Sequence, residues 1–307
     1  MDPMDLVMAG RIGRYFRATK KLDTPNLVSH ITQRAAGKEP LFLEDTDYLV
    51  MLGLMKEVCE EYFLNMYAFC LMSNHIHLLL SPQERNLYDA MRSLFSRYAQ
   101  RFNRKYERKG HLFGGPYRQA VCLDDGYLLT ASLYIHQNPV RAGLATTPAE
   151  YQWSSCRLYC QDGAPSAFVD ADFILDLLPE GSLSKRESYR RLLQQSDGVE
   201  NGKVLEQEDT IERFRSTLAA IFPFLFGHLA GAKQIAGFSG IEFPAMEELE
   251  RRVDQMRVAK KPGRPESHVA KKHLIEQLIS RGYKRYEIAQ QLGVSRKTVY
   301  NLLNHTS

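Results

Sequence analysis

A single tryptophan, five cysteines and no long uninterrupted apolar run are what this 307-residue chain has little of. The cysteines, Cys59, Cys70, Cys122, Cys156 and Cys160, show none of the paired spacings that hold zinc. Their odd number also argues against a disulfide framework, so reduced thiols in a cytoplasm are expected. The N-terminal stretch MDPMDLVMAGRIGRYFR lacks an apolar core followed by a small-residue cleavage site, so no secretory signal is expected. The most apolar stretch, Leu218 to Phe238, is interrupted by Pro223, His228, Lys233 and several glycines, which points to buried helices and not to a membrane span. A large excess of one charge is missing too, because 40 Lys and Arg face 36 Asp and Glu for a net +4.

What is present suffices for a folded chain. With 44% hydrophobic and 25% charged residues it can bury a core, and its length predicts two or three units. The small net charge is unevenly spread. From Lys260 onward there are ten Lys and Arg against three Glu, a local +7 that leaves about −3 for the rest. A basic tail on a near-neutral body predicts a polyanionic partner.

Residues 27–38 read as a strand leaving a polar turn. From Asp45 to Tyr62, Leu49, Leu52, Met55, Val58 and Cys59 keep helical spacing. Phe63 to Pro82, aromatic and aliphatic but broken at Ser73-Asn74, predicts two strands or one bent strand. A helix is predicted over 86–108 on the stripe Leu87, Met91, Leu94, Tyr98 and Phe102. A glycine-rich loop over 110–116 and a strand over 117–123 follow. The next helix starts at the capping pair Asp124–Asp125 and should be stopped at Asn138 by Pro139. The order β-α-β-β-α-β with a final helix, ending near Tyr159, predicts an α+β unit of the split βαβ, ferredoxin-like type with an antiparallel sheet. Further helices are expected over 171–178, 185–195, 210–226 and 244–258, with a polar break at 196–209 and a basic linker at 260–265.

His75-Ile76-His77 is the sharpest local feature. Residues two apart in a strand share a face, so both imidazoles can converge on one ion while Ile76 packs behind them. The same dipeptide also suits a pair of hydrogen-bonded core or surface histidines. On the last helix, Tyr134 and Asn138 stand at i and i+4 and so share a face, with an amide oxygen one turn from a phenol. A core tyrosine and a helix-end asparagine before proline would look the same. Arg97, Arg101, Arg104 and Arg108 form a helical stripe that could grip phosphates or simply be a solvated flank. Arg118 and Arg141 are further candidates for DNA contact.

The motifs ITQR, LFLEDTDYL, AFCLMSNHIHLLL, SLFSRYAQRFN, GHLFGGPYRQAV, YLLTASLYIHQNPVRAGL and YQWSSCRLY follow one another between Leu27 and Tyr159. In content, order and spacing this stretch resembles the single-tyrosine transposases of the HUH (His-hydrophobic-His) type, and among them the REP-associated tyrosine transposases. Carried over residue by residue, the resemblance implies that His75 and His77 bind a metal ion, Mg2+ or Mn2+, with Asn138 as a weaker third ligand. It makes Tyr134 the nucleophile that forms a 5′-phosphotyrosine on single-stranded or hairpin DNA. Ser73 stands where proline or aspartate is more usual.

Near the C-terminus, the run from Tyr286 to Leu303 has the layout of a helix-turn-helix. Ala289 is small where helices cross, Gly293 permits the turn, and Ser295 caps the second helix. Ile288, Leu292, Val294, Val299 and Leu302 supply its core, leaving Ser295, Arg296, Lys297, Tyr300 and Asn301 to meet duplex DNA. The expected organisation is a nuclease domain over 1–159, a helical middle region over 160–259 and a helix-turn-helix domain over 260–307. The function expected is a bacterial, nucleoid-associated DNA nuclease and strand-transferase, monomeric or homodimeric, away from membranes. The alternative is a DNA-binding regulator with a silent nuclease domain. A small-molecule metal hydrolase would explain neither the tail nor Tyr134.

Overall fold

The structure is a computed structural model that describes residues 15–16, 25–37, 39–122, 124–163, 167–179, 181–196, 210–231, 275, 278 and 285–304. The chain divides into two compact units, residues 16–241 and residues 1–15 with 242–307.

The larger unit is built on one sheet. Its strands are β1 (Tyr15–Phe16), β2 (Ser29–Arg34), β3 (Leu64–Leu71), β4 (His75–Pro82) and β5 (Arg118–Val121), in the spatial order β1-β5-β2-β4-β3. The pairs β2–β4, β2–β5 and β3–β4 are antiparallel. Helices α1 (Asp45–Glu61) and α2 (Leu87–Lys105) connect β2 to β3 and β4 to β5, and α3 (Asp125–Arg141) follows β5. This is the expected α+β split βαβ plan, with β2 and β4 at its centre.

Alternation along the two central strands sorts their side chains onto two faces. Ile31, Ile76, Leu78 and Leu80 join Met51, Leu54, Met91 and Leu94 of α1 and α2 in one core. Val28, Leu79, Ala68 and Cys70 join Leu128, Leu129 and Ile135 of α3 in the other. Because their neighbours Ile76 and Leu78 point to the first core, His75 and His77 point to the α3 face. A one-residue slip in register would turn both histidines into the α1–α2 core.

The predicted apolar stripe of α2, from Leu87 to Phe102, is buried. That of α1 is shifted: Leu49 is exposed, and Met51 and Leu54 are buried with Met55, Val58 and Cys59. Asp124 caps α3 as expected, its carboxylate accepting from the Tyr127 N–H at 2.8 Å. The expected stop at Asn138 is not observed, because α3 runs on through Pro139 to Arg141. Proline's fixed φ suits a helix, and this close to the end it removes a single hydrogen bond.

Five further helices follow among the described residues of this unit: α4 (Cys156–Cys160), α5 (Asp172–Leu175), α6 (Lys185–Gln195), α7 (Thr210–Ile221) and α8 (Pro223–Gly231). Helix α5 is shorter than the predicted 171–178, and the predicted 210–226 helix is two helices parted at Phe222 by Pro223. Ile174, Tyr189, Leu192, Phe214 and Leu218 belong to the same core as α3, so these helices are packed onto the sheet unit. The predicted 244–258 helix, the linker at 260–265 and most of the polar break at 196–209 lie outside the described residues. No helix among the described residues is long and apolar enough to cross a membrane.

In the second unit, α9 (Arg285–Gln291) and α10 (Arg296–Asn304) form the predicted helix pair. Gly293 turns the chain at φ +62°, a left-handed conformation that favours glycine. The Ser295 hydroxyl accepts from the Thr298 N–H at 3.0 Å, an N-cap worth about 0.5–2 kcal/mol. Ile288, Ala289, Leu292, Val299 and Leu302 are buried, and Val294 is half-buried.

Candidate active site

Three strand side chains and one helix meet on the α3 face of the sheet. The β2–β4 register sets Thr32 opposite His77 and Arg34 opposite His75, and His30 follows two residues from Thr32 on the same face. His75 and His77 lie edge to face with ring centroids 4.9 Å apart. The rings of His30 and His77 stack at 5.1 Å, and their Nε2 and Nδ1 atoms are 2.9 Å apart. Helix α3 then sets Tyr134 over this group, its ring centroid 6.0 Å from that of His77 and 6.3 Å from that of His30. His30, Thr32 and Arg34 were missed as site residues at the sequence level. Their polar alternation in a strand is a usable signal, but only the pairing of β2 with β4 brings them to His77.

Asn138 lies one turn beyond Tyr134 and is buried. Its amide N–H donates to the Tyr134 carbonyl at 2.8 Å, which fixes the amide orientation because a carbonyl can only accept. The Asn138 Oδ1 atom is thereby left as a buried acceptor, and no described group hydrogen-bonds to it. The Nε2 atom of His77 is buried and without a hydrogen-bond partner in the same way. Buried polar atoms in native proteins are overwhelmingly partnered, and two of the unpartnered ones here fall on two predicted ligand residues. Among the described residues no three His, Cys, Asp or Glu side chains cluster as a closed metal cage. Two imidazoles and one amide oxygen would leave positions open for substrate oxygens and water.

The electrostatics follow from burial. His30 and His75 are pushed down to about 4, chiefly by desolvation, with the Arg34 charge adding to the effect at His75. His77 lies well below its ordinary range through burial and then through His75, His30 and Arg34. All three imidazoles are neutral at pH 7, the form that can ligate a cation. Tyr134 is 2% exposed, and burial raises its phenol above the usual value while Arg141 and Arg34 pull it back down. The Arg141 guanidinium lies 5.1 Å from the Tyr134 ring centroid and 4.3 Å from that of Phe214 on α7. Phe214 itself meets the Tyr134 ring at 6.3 Å.

A neutral strand-histidine pair beneath a helical tyrosine and asparagine is thus on one face of one sheet, and comparison with known proteins finds a similarity over this region. The family described as Transposase IS200 like matches residues 24–138, which include all four of these residues. The match spans β2 to β5 and most of α3. Residues 263–305 match the helix-turn-helix domain of resolvase, in agreement with α9 and α10. A solved structure described as a REP-associated tyrosine transposase bound to a REP hairpin is similar over 50% of this chain and 94% of its own, with 12% identity and a TM-score of 0.42. No curated protein matches the chain.

The other predicted contact residues are spread more widely over the larger unit. Arg97 pairs with Glu57 and, at 3.1 Å, with Glu61, and Arg108 pairs with Glu39. Arg101 and Arg104 are exposed on α2, and Arg118 is exposed on β5. A cleft of about 860 Å³ lies on the opposite side of the sheet from Tyr134, lined by residues such as Gln33, Arg92, Asn103, His111 and Tyr117. It contains none of the four predicted catalytic residues. In the second unit Ser295, Arg296, Lys297, Tyr300 and Asn301 are all exposed, and the Arg296 guanidinium lies 5.9 Å from the Tyr286 ring centroid.

Proposed function

We propose that the transposase domain is a single-stranded DNA endonuclease and strand-transferase with Tyr134 as its nucleophile, and that the helix-turn-helix unit binds duplex DNA. The observation that carries this reading is the placement of the Tyr134 ring 6.0 Å from that of His77, with a buried unpartnered atom on each of His77 and Asn138. His75, His77 and Asn138 would hold a divalent cation, Mg2+ or Mn2+. When bound, such an ion neutralises non-bridging phosphate oxygens and so favours attack at phosphorus.

The chain's own residues account for the rest. The Tyr134 hydroxyl gives up its proton to water and its oxygen bonds to phosphorus as the phosphorus–O3′ bond breaks, the departing 3′-oxygen taking a proton from water in turn. The products are a 5′-phosphotyrosine and a free 3′-hydroxyl. Arg141 and Arg34 favour the phenolate that burial opposes. One phosphoester replaces another, so a 3′-hydroxyl can reverse the step on the same or a second strand without ATP. Hairpin or repeat sequences are the substrates that the motif resemblance suggests. The second unit would lay α10 in a major groove, with Arg296, Lys297, Tyr300 and Asn301 towards the bases and backbone.

A second reading, a DNA-binding regulator with a silent nuclease, is favoured by the burial of Tyr134 under Phe214 and Arg141. Incubation with labelled single-stranded hairpin DNA and Mn2+, followed by a denaturing gel, separates the two. A covalent adduct lost in both Tyr134→Phe and His77→Ala supports the nuclease. Absence of an adduct with every hairpin tried, beside intact duplex binding, supports the regulator.

A further inference from the structure

The two strand histidines are not free to choose which nitrogen carries the proton. The Nδ1 atom of His75 lies 2.7 Å from Asn74 Oδ1, an acceptor, so His75 must donate from Nδ1 and present a lone pair at Nε2. His77 has its only close partner at the same atom, the Nε2 of His30, at 2.9 Å. Thr32 Oγ1 stands farther from both, at 3.4 Å from His77 Nδ1 and 3.5 Å from His30 Nε2. Between two neutral imidazoles one nitrogen donates and the other accepts, which leaves two arrangements. If His30 donates, the buried Nε2 of His77 carries a hydrogen with nothing to receive it, which costs about 1–3 kcal/mol. If His77 donates, its buried Nε2 is a lone pair that a bound cation would satisfy, as it would the unpartnered Oδ1 of Asn138.

We infer that His30 is a positioning residue, which accepts the Nδ1 hydrogen of His77 and so turns the His77 Nε2 lone pair toward the cation site. The inference rests on the proposed metal-binding reading of His75, His77 and Asn138 and adds a residue to it from a different strand. Asn74 does the same for His75, so each ligand would have its own acceptor behind it. This arrangement fixes ring orientation and makes the ligating nitrogen more basic. It also accounts for a buried histidine on β2 that the nucleophilic step does not use. His30 stacks on His77 at an interplanar angle of 24°, so removing it frees the ring to swing as well as to change tautomer.

The test uses the full chain, Mn2+ alone as the probe, and two readouts. Nitrogen-15 NMR of the metal-free wild type should show His77 protonated at Nδ1 and unprotonated at Nε2. Titration with Mn2+, followed by electron paramagnetic resonance, should show binding weakened about 10- to 100-fold in His30→Leu. His30→Gln, whose amide oxygen can accept the same hydrogen, should recover most of the affinity, and His77→Ala should lose it. An Nε2-protonated His77, or a folded His30→Leu that binds Mn2+ like the wild type while His77→Ala does not, overturns the role of His30 alone. If the wild type takes up no Mn2+, or His77→Ala binds it unchanged, the metal-binding reading fails and this inference with it. Should His30→Leu not fold, the wild-type tautomer and the His30→Gln titration still decide.

Discussion

Arg141 gives the most quantitative test of how Tyr134 is activated. Its guanidinium is 5.1 Å from the phenol ring in a buried setting, and its charge opposes the desolvation that raises the phenol's pKa. Two unit charges about 5 Å apart at an effective dielectric of about 20 interact by about 3 kcal/mol. One pKa unit corresponds to about 1.4 kcal/mol, so replacing Arg141 by methionine should raise the phenol by up to about two units. Methionine keeps much of the stem packing against Phe214. Rates of covalent adduct formation on hairpin DNA, measured against pH, should then show the rising limb of the Arg141→Met profile displaced upward by that amount. At neutral pH the rate should fall by up to about 100-fold, and raising the pH should restore much of it. Arg141→Lys, which keeps a charge, should lie between the two. A folded Arg141→Met whose pH profile coincides with that of the wild type would refute the reasoning, since a purely structural defect lowers the rate without moving the profile.

Three further outcomes are expected. His75→Ala should abolish adduct formation while gel shifts with duplex DNA are unchanged, and loss of both would contradict the separation of the two activities. Replacing Arg296 and Lys297 together by alanine should weaken duplex binding and flatten its salt dependence by a slope of up to about 2, without affecting hairpin cleavage. The third outcome concerns acid stability. His136 is fully buried between Tyr189 and Ser155, at 2.8 Å from each hydroxyl, and burial pushes it down to about 3. It is therefore neutral in the fold and protonates below about 6.5 once the chain unfolds. The unfolded state then binds more protons, so stability is lost as pH falls through about 6.5 and goes on falling to about 3. At pH 5 this group alone costs about 2 kcal/mol, to be read from urea midpoints at pH 7 and 5, and His136→Gln should shrink the difference.

Much of the fold was legible because its signals are local. Strand breaks at Ser73-Asn74, the helical stripe of α2 and the Asp124 cap need only neighbouring residues to be read. The two-residue spacing of His75 and His77 and the four-residue spacing of Tyr134 and Asn138 likewise put each pair on one face. What brought the two pairs together was the resemblance, because no periodicity says which face of a sheet a later helix will cover. His30 was missed for the same reason. Its role depends on β2 lying beside β4, a pairing between residues 47 positions apart in sequence. Pro139 misled because proline usually ends a helix, whereas in the last turn it removes just one hydrogen bond. The helices after Tyr159 gave weak patterns on their own because Phe214 and Leu218 bury against α3, and short amphipathic segments do not reveal their partner.

The most direct measurement is to map the covalent link by mass spectrometry, after trapping the protein on a single-stranded hairpin and digesting both components. The expected result is a nucleotide mass attached to the peptide containing Tyr134, at that residue. A nucleotide found instead on Tyr117 or Tyr127, or none on any tyrosine of a protein that still cuts the DNA, would contradict a cleavage site formed by the strand histidines and the α3 phenol.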